Sequence, residues 1–230
     1  MTEASTSPRT HRAMRAESDR RIVGAAIAAF AERGYHRTTL AQVGEAAGFT
    51  GALISRRYGS KAGLAREVFV HIRRRLTPMG SEGGAELGGD RWVDTDRSAR
   101  AQLDGFVHSY VRDAVEQPTR LRALYVLLGE ALGGMDELDE QVALVNRVFR
   151  DHIAGYVRLG QRQREFRADV DADQSAVVIV GVLRGVVTQV LAEPNEHDVD
   201  ALTVELQRTV LLPLLRQIDT DTSLPDDDDD

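Results

Sequence analysis

Hydrophobic residues recur three and four positions apart along most of the chain, which is the spacing of one face of an α-helix. No stretch alternates convincingly with the period of two that a half-buried strand requires. The pattern therefore predicts an all-α protein of about nine helices. The predicted helices cover about residues 17–33, 40–47, 51–58, 61–75, 97–115, 118–132, 136–163, 174–191 and 199–216, with Pro213 expected to kink or fray the last one.

Residues 39–58 have the pattern of two short helices joined by a tight turn. Thr39 and Gln42 form a capping box at the start of the first helix, and Gly48 suits the left-handed residue that ends it. Thr50 can cap the second helix, whose buried face continues through Ile54. The residues left on its exposed face are small or basic, which suits insertion into a DNA major groove. They are Gly51, Ala52, Ser55, Arg56 and Arg57.

This stretch resembles the DNA-binding head of the TetR (tetracycline-repressor-like) family of bacterial transcription regulators. The family pattern is matched at Thr38, Thr39, Val43, Ala47, Gly48, Phe49, Thr50, Ile54, Tyr58, Ser60, Lys61 and Leu64. The chain departs from it at Ala52, Ser55 and Arg57, where the family usually has Gly, Tyr and His. The recognisable motif covers about residues 18–70. The resemblance implies a three-helix head followed by a helical body that binds a small-molecule effector and dimerises.

Charge is sorted along the chain in a way that agrees with a DNA-binding head. Residues 1–75 hold 14 arginine or lysine residues against 6 aspartate or glutamate residues, a net charge of +8. The remainder carries −15, which gives the −7 of the whole chain. A basic amino-terminal third on an acidic body is the electrostatic pattern expected of a protein that binds nucleic acid through its head.

Composition shifts divide the chain into five parts. We expect a flexible basic arm over residues 1–16, the helix-turn-helix DNA-binding domain over 17–76 and a glycine-rich loop over 77–96. A ligand-binding and dimerisation domain over 97–218 and an acidic disordered tail over 219–230 complete the prediction.

The helix predicted over residues 174–191 is apolar nearly all round, so it must be buried on more than one side. Two glycines four residues apart would let another helix approach closely. In the resembled family the last two helices of each subunit form a four-helix dimer interface, which implies a homodimer. The predicted interface residues are Val178, Gly181, Val182, Gly185, Leu206 and Val210. The alternative is that these are core helices of a single protomer.

The expected DNA contacts come from the two motif helices and the start of the next helix. They are Thr39, Thr50, Gly51, Ala52, Ser55, Arg56, Arg57 and Lys61. Among them, Arg56 is the candidate for reading a base, and Arg57 and Lys61 for anchoring phosphates. Candidates for the effector site are aromatic or charged groups amid apolar helix faces, although such groups more often belong simply to the core or the surface. They are Tyr110, Tyr125, Glu130 and Phe149.

Other chemistry is weakly represented, and we expect no cofactor, no metal and no enzyme activity. The chain has no cysteine, which excludes disulfides and thiolate metal sites, and its six histidines form no pair at ligand spacing. Asp169, Asp171 and Asp173 copy the opening of a calcium loop. Gln174 and Val180 stand where that loop needs glycine and glutamate, so a helix cap at Asp171 or Asp173 is the better interpretation.

The longest apolar run, Ala176 to Val187, contains Arg184 and is shorter than the roughly 20 residues of a membrane span. We therefore expect a cytoplasmic protein without a membrane partner. The leading hypothesis is a homodimeric transcription regulator, most simply a repressor that a small molecule releases from a palindromic operator in double-stranded DNA. A helical protein-interaction module with a degenerate head is the alternative, supported only by the departures at Ala52 and Ser55. An all-helical enzyme lacks any group of residues to carry its chemistry.

Overall fold

The structure, a computed structural model, describes residues 8–76 and 93–215 of the chain. Within these ranges nine α-helices follow one another, and the only extended pairing is a single antiparallel bridge between Phe166 and Leu215. The prediction of an all-α fold is confirmed. The helices are α1 (Pro8–Arg37), α2 (Leu40–Ala47), α3 (Gly51–Tyr58), α4 (Lys61–Leu76), α5 (Ala99–Glu116), α6 (Pro118–Leu132), α7 (Asp139–Arg162), α8 (Ala172–Ala192) and α9 (Val199–Leu206).

Several helices begin where a side chain can satisfy the first unpaired backbone N–H groups. The predicted capping box between Thr39 and Gln42 is present at the start of α2. The Ser98 hydroxyl caps α5. The Asp171 carboxylate accepts two backbone hydrogen bonds at the start of α8, so the cap lies at Asp171 and not at Asp173. The calcium-loop resemblance is thus explained by a helix cap.

The first helix is longer than predicted at both ends. It begins at Pro8, so the expectation of a flexible arm is wrong for residues 8–16, while residues 1–7 lie outside the described part. The side chains of residues 12–17 are exposed, which is why their composition resembles an arm. Good helix formers can extend a helix that the packed turns beyond Ile22 have already nucleated. At its other end the helix continues to Arg37 across a break at Gly34, whose φ is 81° and ψ 167°.

Head and body share one continuous apolar core. The head consists of α1 to α4, and α1 packs along α6 of the body. In the body α7 packs along α8, and α5 lies against both. The predicted last helix is regular only through Leu206. A widened π-helical turn over Gln207–Leu211 and a 3-10 turn over Leu212–Leu214 follow it, and Pro213 in the latter confirms the predicted disruption.

The helix α8 is longer than its apolar run suggested. It has 21 residues and a mean hydropathy of 1.9 in its most apolar window, so its length and composition would be sufficient for a membrane span. The core helix of a soluble protein passes the same test, and 39% of that window is buried here against the rest of the body.

Two predicted segments fall largely outside the described residues. Of the glycine-rich loop over 77–96, only residues 93–96 are described, and they form a bend and a turn before α5. The acidic tail over 219–230 lies wholly outside, and the body is described through Leu215.

Candidate nucleic-acid interface

The turn between α2 and α3 depends on glycine at the contact of the two helices. A Cβ atom on Gly51 would lie 2.9 Å from the Cα atom of Ala41, and one on Gly44 would lie 2.9 Å from the backbone nitrogen of Gly51. Gly48 ends α2 in the left-handed conformation, as predicted. Thr50 then caps α3 by accepting a hydrogen bond from the backbone of Leu53 at 3.2 Å. Gly51 therefore packs against α2, and its expected place on the base-reading face is wrong.

The opposite side of α3 is open to solvent. Ala52, Ser55 and Arg56 are exposed, whereas Ile54 is fully buried beneath them. No hydrogen bond or ion pair within the described part of the chain engages the Arg56 guanidinium, so its donors are available. This is the face that the sequence predicted for contact with DNA bases. Thr39 and Thr50 are also exposed, although their hydroxyls already serve as helix caps.

Arg57 connects α3 to α1 through an ion pair. Its Nη1 atom lies 3.2 Å from Oδ1 of Asp19 on α1, and only 19% of its side chain is exposed. The Tyr58 hydroxyl donates a hydrogen bond to the same carboxylate oxygen at 2.8 Å. Burial, together with this bond, raises the pKa of Tyr58, so the phenol stays a donor. Because Arg57 has this internal partner, support of α3 competes with its expected role in phosphate contact.

Lys61 also has internal partners. Its Nζ atom donates to the backbone carbonyls of Tyr35 at 2.9 Å and His36 at 3.1 Å, at the end of α1. The ammonium also lies 4.4 Å from the centre of the Tyr35 ring, in the geometry of a cation–π contact. A lysine at the start of α4 therefore holds α4 to α1. This internal role of Lys61 competes with the expected contact with a DNA phosphate.

Sequence reasoning missed the part played by Arg21. Its Nη2 atom donates to the carbonyl of Ala47 at 2.8 Å, and its guanidinium carbon lies 5.1 Å from the centre of the Phe49 ring. These contacts hold the turn of the motif against α1. Ala47 lies 26 residues after Arg21 in the sequence, and Phe49 lies further still. No local spacing in the sequence signals such a contact.

The matching family model agrees with this geometry. Residues 22–68 match the model described as bacterial regulatory proteins, tetR family. The head of the chain is therefore that of the TetR family of transcription regulators. The chain is thus a DNA-binding protein with a helix-turn-helix head.

The likeness of fold to solved structures extends beyond the head and includes the body. A TetR-family regulator from Rhodococcus sp. has 18% sequence identity and a TM-score of 0.68, over 86% of this chain and 99% of that one. NalD of Pseudomonas aeruginosa, the secondary repressor of the MexAB-OprM multidrug efflux pump, has 18% identity and a TM-score of 0.67, over 88% and 99%. The fatty acid degradation regulator FadR of Bacillus halodurans has 17% identity and a TM-score of 0.69, over 90% and 97%. No curated protein sequence matches the chain.

Three of the four candidate effector residues meet in the body. The hydroxyls of Tyr110 on α5 and Tyr125 on α6 are 2.9 Å apart. The Phe149 ring of α7 stands edge-on to that of Tyr110, with 5.5 Å between the ring centres. Arg184 of α8, which sequence reasoning did not select, lies with its guanidinium carbon 5.8 Å from the centre of the Phe149 ring. Four helices thus converge on one aromatic cluster that contains a cation.

Glu130, the fourth candidate, lies elsewhere. One of its carboxylate oxygens accepts a hydrogen bond from the backbone N–H of Tyr35 at 2.9 Å, and the other from that of His36 at 3.2 Å. These two groups follow the break at Gly34, where a Cβ atom would come within 2.5 Å of the same carboxylate. Glu130 therefore joins α6 of the body to the end of α1, apart from the other three candidates.

An apolar face remains uncovered on the body. Val178 is 61% exposed, and Cβ atoms built on Gly181 and Gly185 would meet nothing within 4 Å. Val182 and Val210 are half-buried. Leu206 is only 5% exposed because it packs into the core of its own protomer, so its expected place at the dimer interface is wrong. Further exposed apolar surface comes from Val204 on α9 and from Leu212 in the 3-10 turn after it.

No group of three or more histidine, cysteine, aspartate or glutamate residues that could hold a metal ion occurs within residues 8–76 and 93–215.

Proposed function

We propose that the protein is a homodimeric repressor whose two heads bind a palindromic operator and leave it when a small molecule binds in the body. The observation that carries this proposal is the exposed face of α3, where Ala52, Ser55 and an unpaired Arg56 lie together on the basic third of the chain. Small side chains allow close approach to the groove, and arginine can bind the two acceptor atoms of guanine.

Base reading and positioning are carried by different residues in this proposal. Arg56 and Ser55 contact base edges, and the exposed starts of α2 and α3 at Thr39 and Thr50 lie beside phosphates, where helix N-termini favour anions. Arg57 and Lys61 act indirectly, because their contacts with α1 keep α3 in place. Substituting Arg57 or Lys61 should therefore weaken DNA binding by displacing α3, and not by removing a direct contact with DNA.

The uncovered face of α8 supports a dimer. Contiguous exposed apolar surface on a soluble protein marks an interaction site, and small residues permit close helix packing. A symmetric pair of subunits would cover this face and set the spacing of the two heads at about 34 Å, one turn of DNA. Covering α8 in this way also removes the need for a membrane, and we place the protein in the cytoplasm.

The helix α6 offers a physical route from the body to the head. It carries Tyr125 of the aromatic cluster and Glu130 of the junction, which are five residues and therefore about 7.5 Å apart along the helix axis. A small molecule that shifts Tyr125 would move the carboxylate that holds Tyr35 and His36. A coupling of about 1–3 kcal/mol, or roughly 5–150-fold in operator affinity, is the usual range for such a link.

No observation favours the alternative of an interaction module with a degenerate head. Although Ala52 differs from the family pattern, α3 is still capped and packed on α2. Ser55, which also differs from that pattern, leaves the exposed face of α3 unobstructed.

Selection from random double-stranded DNA with the purified full-length protein tests the proposal. It should return a palindrome, and light scattering should find an even number of protomers on each bound duplex. Enrichment of no sequence, or a site occupied by one protomer, would contradict the proposal. Release is then tested by adding small molecules to the protein–operator complex, where an effector should lower the affinity by at least about 5-fold.

A further inference from the structure

Arg184 is a half-buried cation that enters the aromatic cluster of the body, where a tyrosine hydroxyl is its polar neighbour and no carboxylate within the described residues pairs with it. Its Nε and Nη2 atoms are buried and have no hydrogen-bond partner within the described part of the chain. No carboxylate of that part pairs with it, and its nearest named neighbours are the Phe149 ring and the hydroxyls of Tyr110 and Tyr125.

Such a position is costly for the free protein. A buried donor without an acceptor loses its hydrogen bonds to water, and a buried charge loses more. Residues of this kind persist where they serve a ligand or another function that stability alone does not explain.

The surrounding side chains cannot supply the missing negative charge. Burial raises the pKa of both Tyr110 and Tyr125, so the two phenols remain neutral at physiological pH. The nearby carboxylate of Asp113, one turn along α5 from Tyr110, is already paired with Arg120 at 2.7 Å. Any counter-charge for Arg184 must therefore come from outside this part of the protomer.

We propose that Arg184 anchors the carboxylate of a small molecule whose apolar or aromatic part lies against Phe149 and the two tyrosines. A guanidinium binds a carboxylate through two parallel N–H···O bonds, which would satisfy both orphaned groups at once. A single cation matches a monoanion better than a doubly charged phosphate. This inference rests on the proposed function, since it assigns a chemical class to the effector of the same body.

The surroundings of the orphaned groups favour a small molecule over a carboxylate from a second subunit. The Arg184 side chain lies near Tyr110 of α5, Tyr125 of α6 and Phe149 of α7, whereas the face proposed for dimer contact is the exposed part of α8 around Gly181 and Gly185. A carboxylate of the partner subunit remains an alternative outcome of the experiment below.

The first measurement needs no ligand. Replacing Arg184 with methionine removes the unpaired charge and keeps an unbranched apolar side chain, so the Tm of the full-length protein should rise. Arg147→Met, at an exposed position of α7, is the matched control and should leave the Tm nearly unchanged. A fall in the Tm of Arg184→Met would mean that the guanidinium is already paired in solution, which would overturn the inference.

The second measurement uses matched probes. Calorimetry of the parent with decanoate against decanol, and with phenylacetate against phenylacetamide, should give at least about 10-fold tighter binding for one of the acids. Arg184→Met should abolish that preference and Arg147→Met should keep it. Absence of carboxylate binding, or an unchanged preference in Arg184→Met, would overturn the inference.

Operator binding separates this inference from the proposed function. If the acids bind through Arg184 but leave operator affinity unchanged, the anchor is real and the release mechanism is wrong. If the protein binds a palindrome but no carboxylate, the regulator remains and the anchor is wrong.

Discussion

Lys61 lies in the first turn of α4, where its ammonium could serve either the protein or a DNA phosphate. The structure gives it two carbonyl partners and the Tyr35 ring. Lys61→Ala should therefore lower the free energy of unfolding by about 1–3 kcal/mol, because it removes charge-assisted hydrogen bonds. The slope of operator affinity against salt concentration should stay unchanged, since no phosphate contact is lost.

Urea unfolding and a salt series of operator titrations check both parts of this prediction. Arg66→Ala, at an exposed position of the same helix, controls for the loss of one positive charge in the head. If Lys61→Ala kept its stability and its salt slope fell by about 1, Lys61 would instead contact DNA.

His152 makes the stability of the body depend on pH. It is buried beside Phe106, its Nε2 atom lies 2.9 Å from the Tyr156 hydroxyl, and burial lowers its pKa to about 4. The unfolded chain takes up this proton near pH 6.5, whereas the folded protein resists it until about pH 4. Stability should therefore be complete above pH 6.5 and fall as the pH drops toward 4, by at most about 3 kcal/mol from this residue.

The variant His152→Gln removes this titration. Its urea unfolding free energy should change less than that of the parent between pH 7 and pH 4.5, and His36→Gln at an exposed position should follow the parent. Equal changes in the parent and in His152→Gln would mean that His152 is accessible to protons in the folded state.

Among the helices, α6 connects the aromatic cluster with the head through one carboxylate. Glu130→Gln keeps the shape of that side chain but leaves only one oxygen to accept the N–H groups of Tyr35 and His36. Amide hydrogen exchange at these two residues should therefore become faster. The matched control is Glu140→Gln, at an exposed position on α7, which should leave the exchange rates unchanged. Unchanged exchange in Glu130→Gln would remove this contact from the proposed route between body and head.

The helices themselves were predictable because their signals are local. Periodic apolar residues, the capping box at Thr39 and Gln42, and the glycine that ends α2 all act within one or two turns. The exposed face of α3 followed from the same spacing. Contacts between helices were not predictable in this way. Glu130 lies 95 residues from Tyr35, and Lys61 lies 26 residues from it, so their partners depend on how the helices pack.

The difference between local signals and contacts between helices also explains why the predictions for Gly51 and Leu206 were wrong. Gly51 fits an exposed face by periodicity, but its missing side chain is used for close contact with Ala41. Leu206 shares an apolar stripe with residues that remain uncovered, and only the packing of α9 decides which of them the protomer buries.

The whole molecule is proposed to act as a dimer through the uncovered face of α8. Gly185→Glu should give a folded monomer, because a Cβ atom there meets nothing within 4 Å in the protomer while a buried glutamate would oppose close helix packing. One head alone captures half of the operator contacts, so specific binding should be lost. Gly105→Glu on α5, which also meets nothing within 4 Å, is the control and should remain dimeric.

Light scattering measures the oligomeric state of the two glycine variants, and operator titration measures their specific binding to DNA. A Gly185→Glu protein that stayed dimeric and bound its operator normally would place the subunit interface on another surface.

The central claim, that the exposed face of α3 reads DNA sequence, is tested most directly by selection from random DNA with the parent and Arg56→Ala side by side. The parent should return a palindrome. Arg56→Ala should return the same palindrome with lower information at one symmetric pair of positions, since a bidentate arginine contact contributes about 1–3 kcal/mol of discrimination. Undiminished information at every position in Arg56→Ala would contradict the claim.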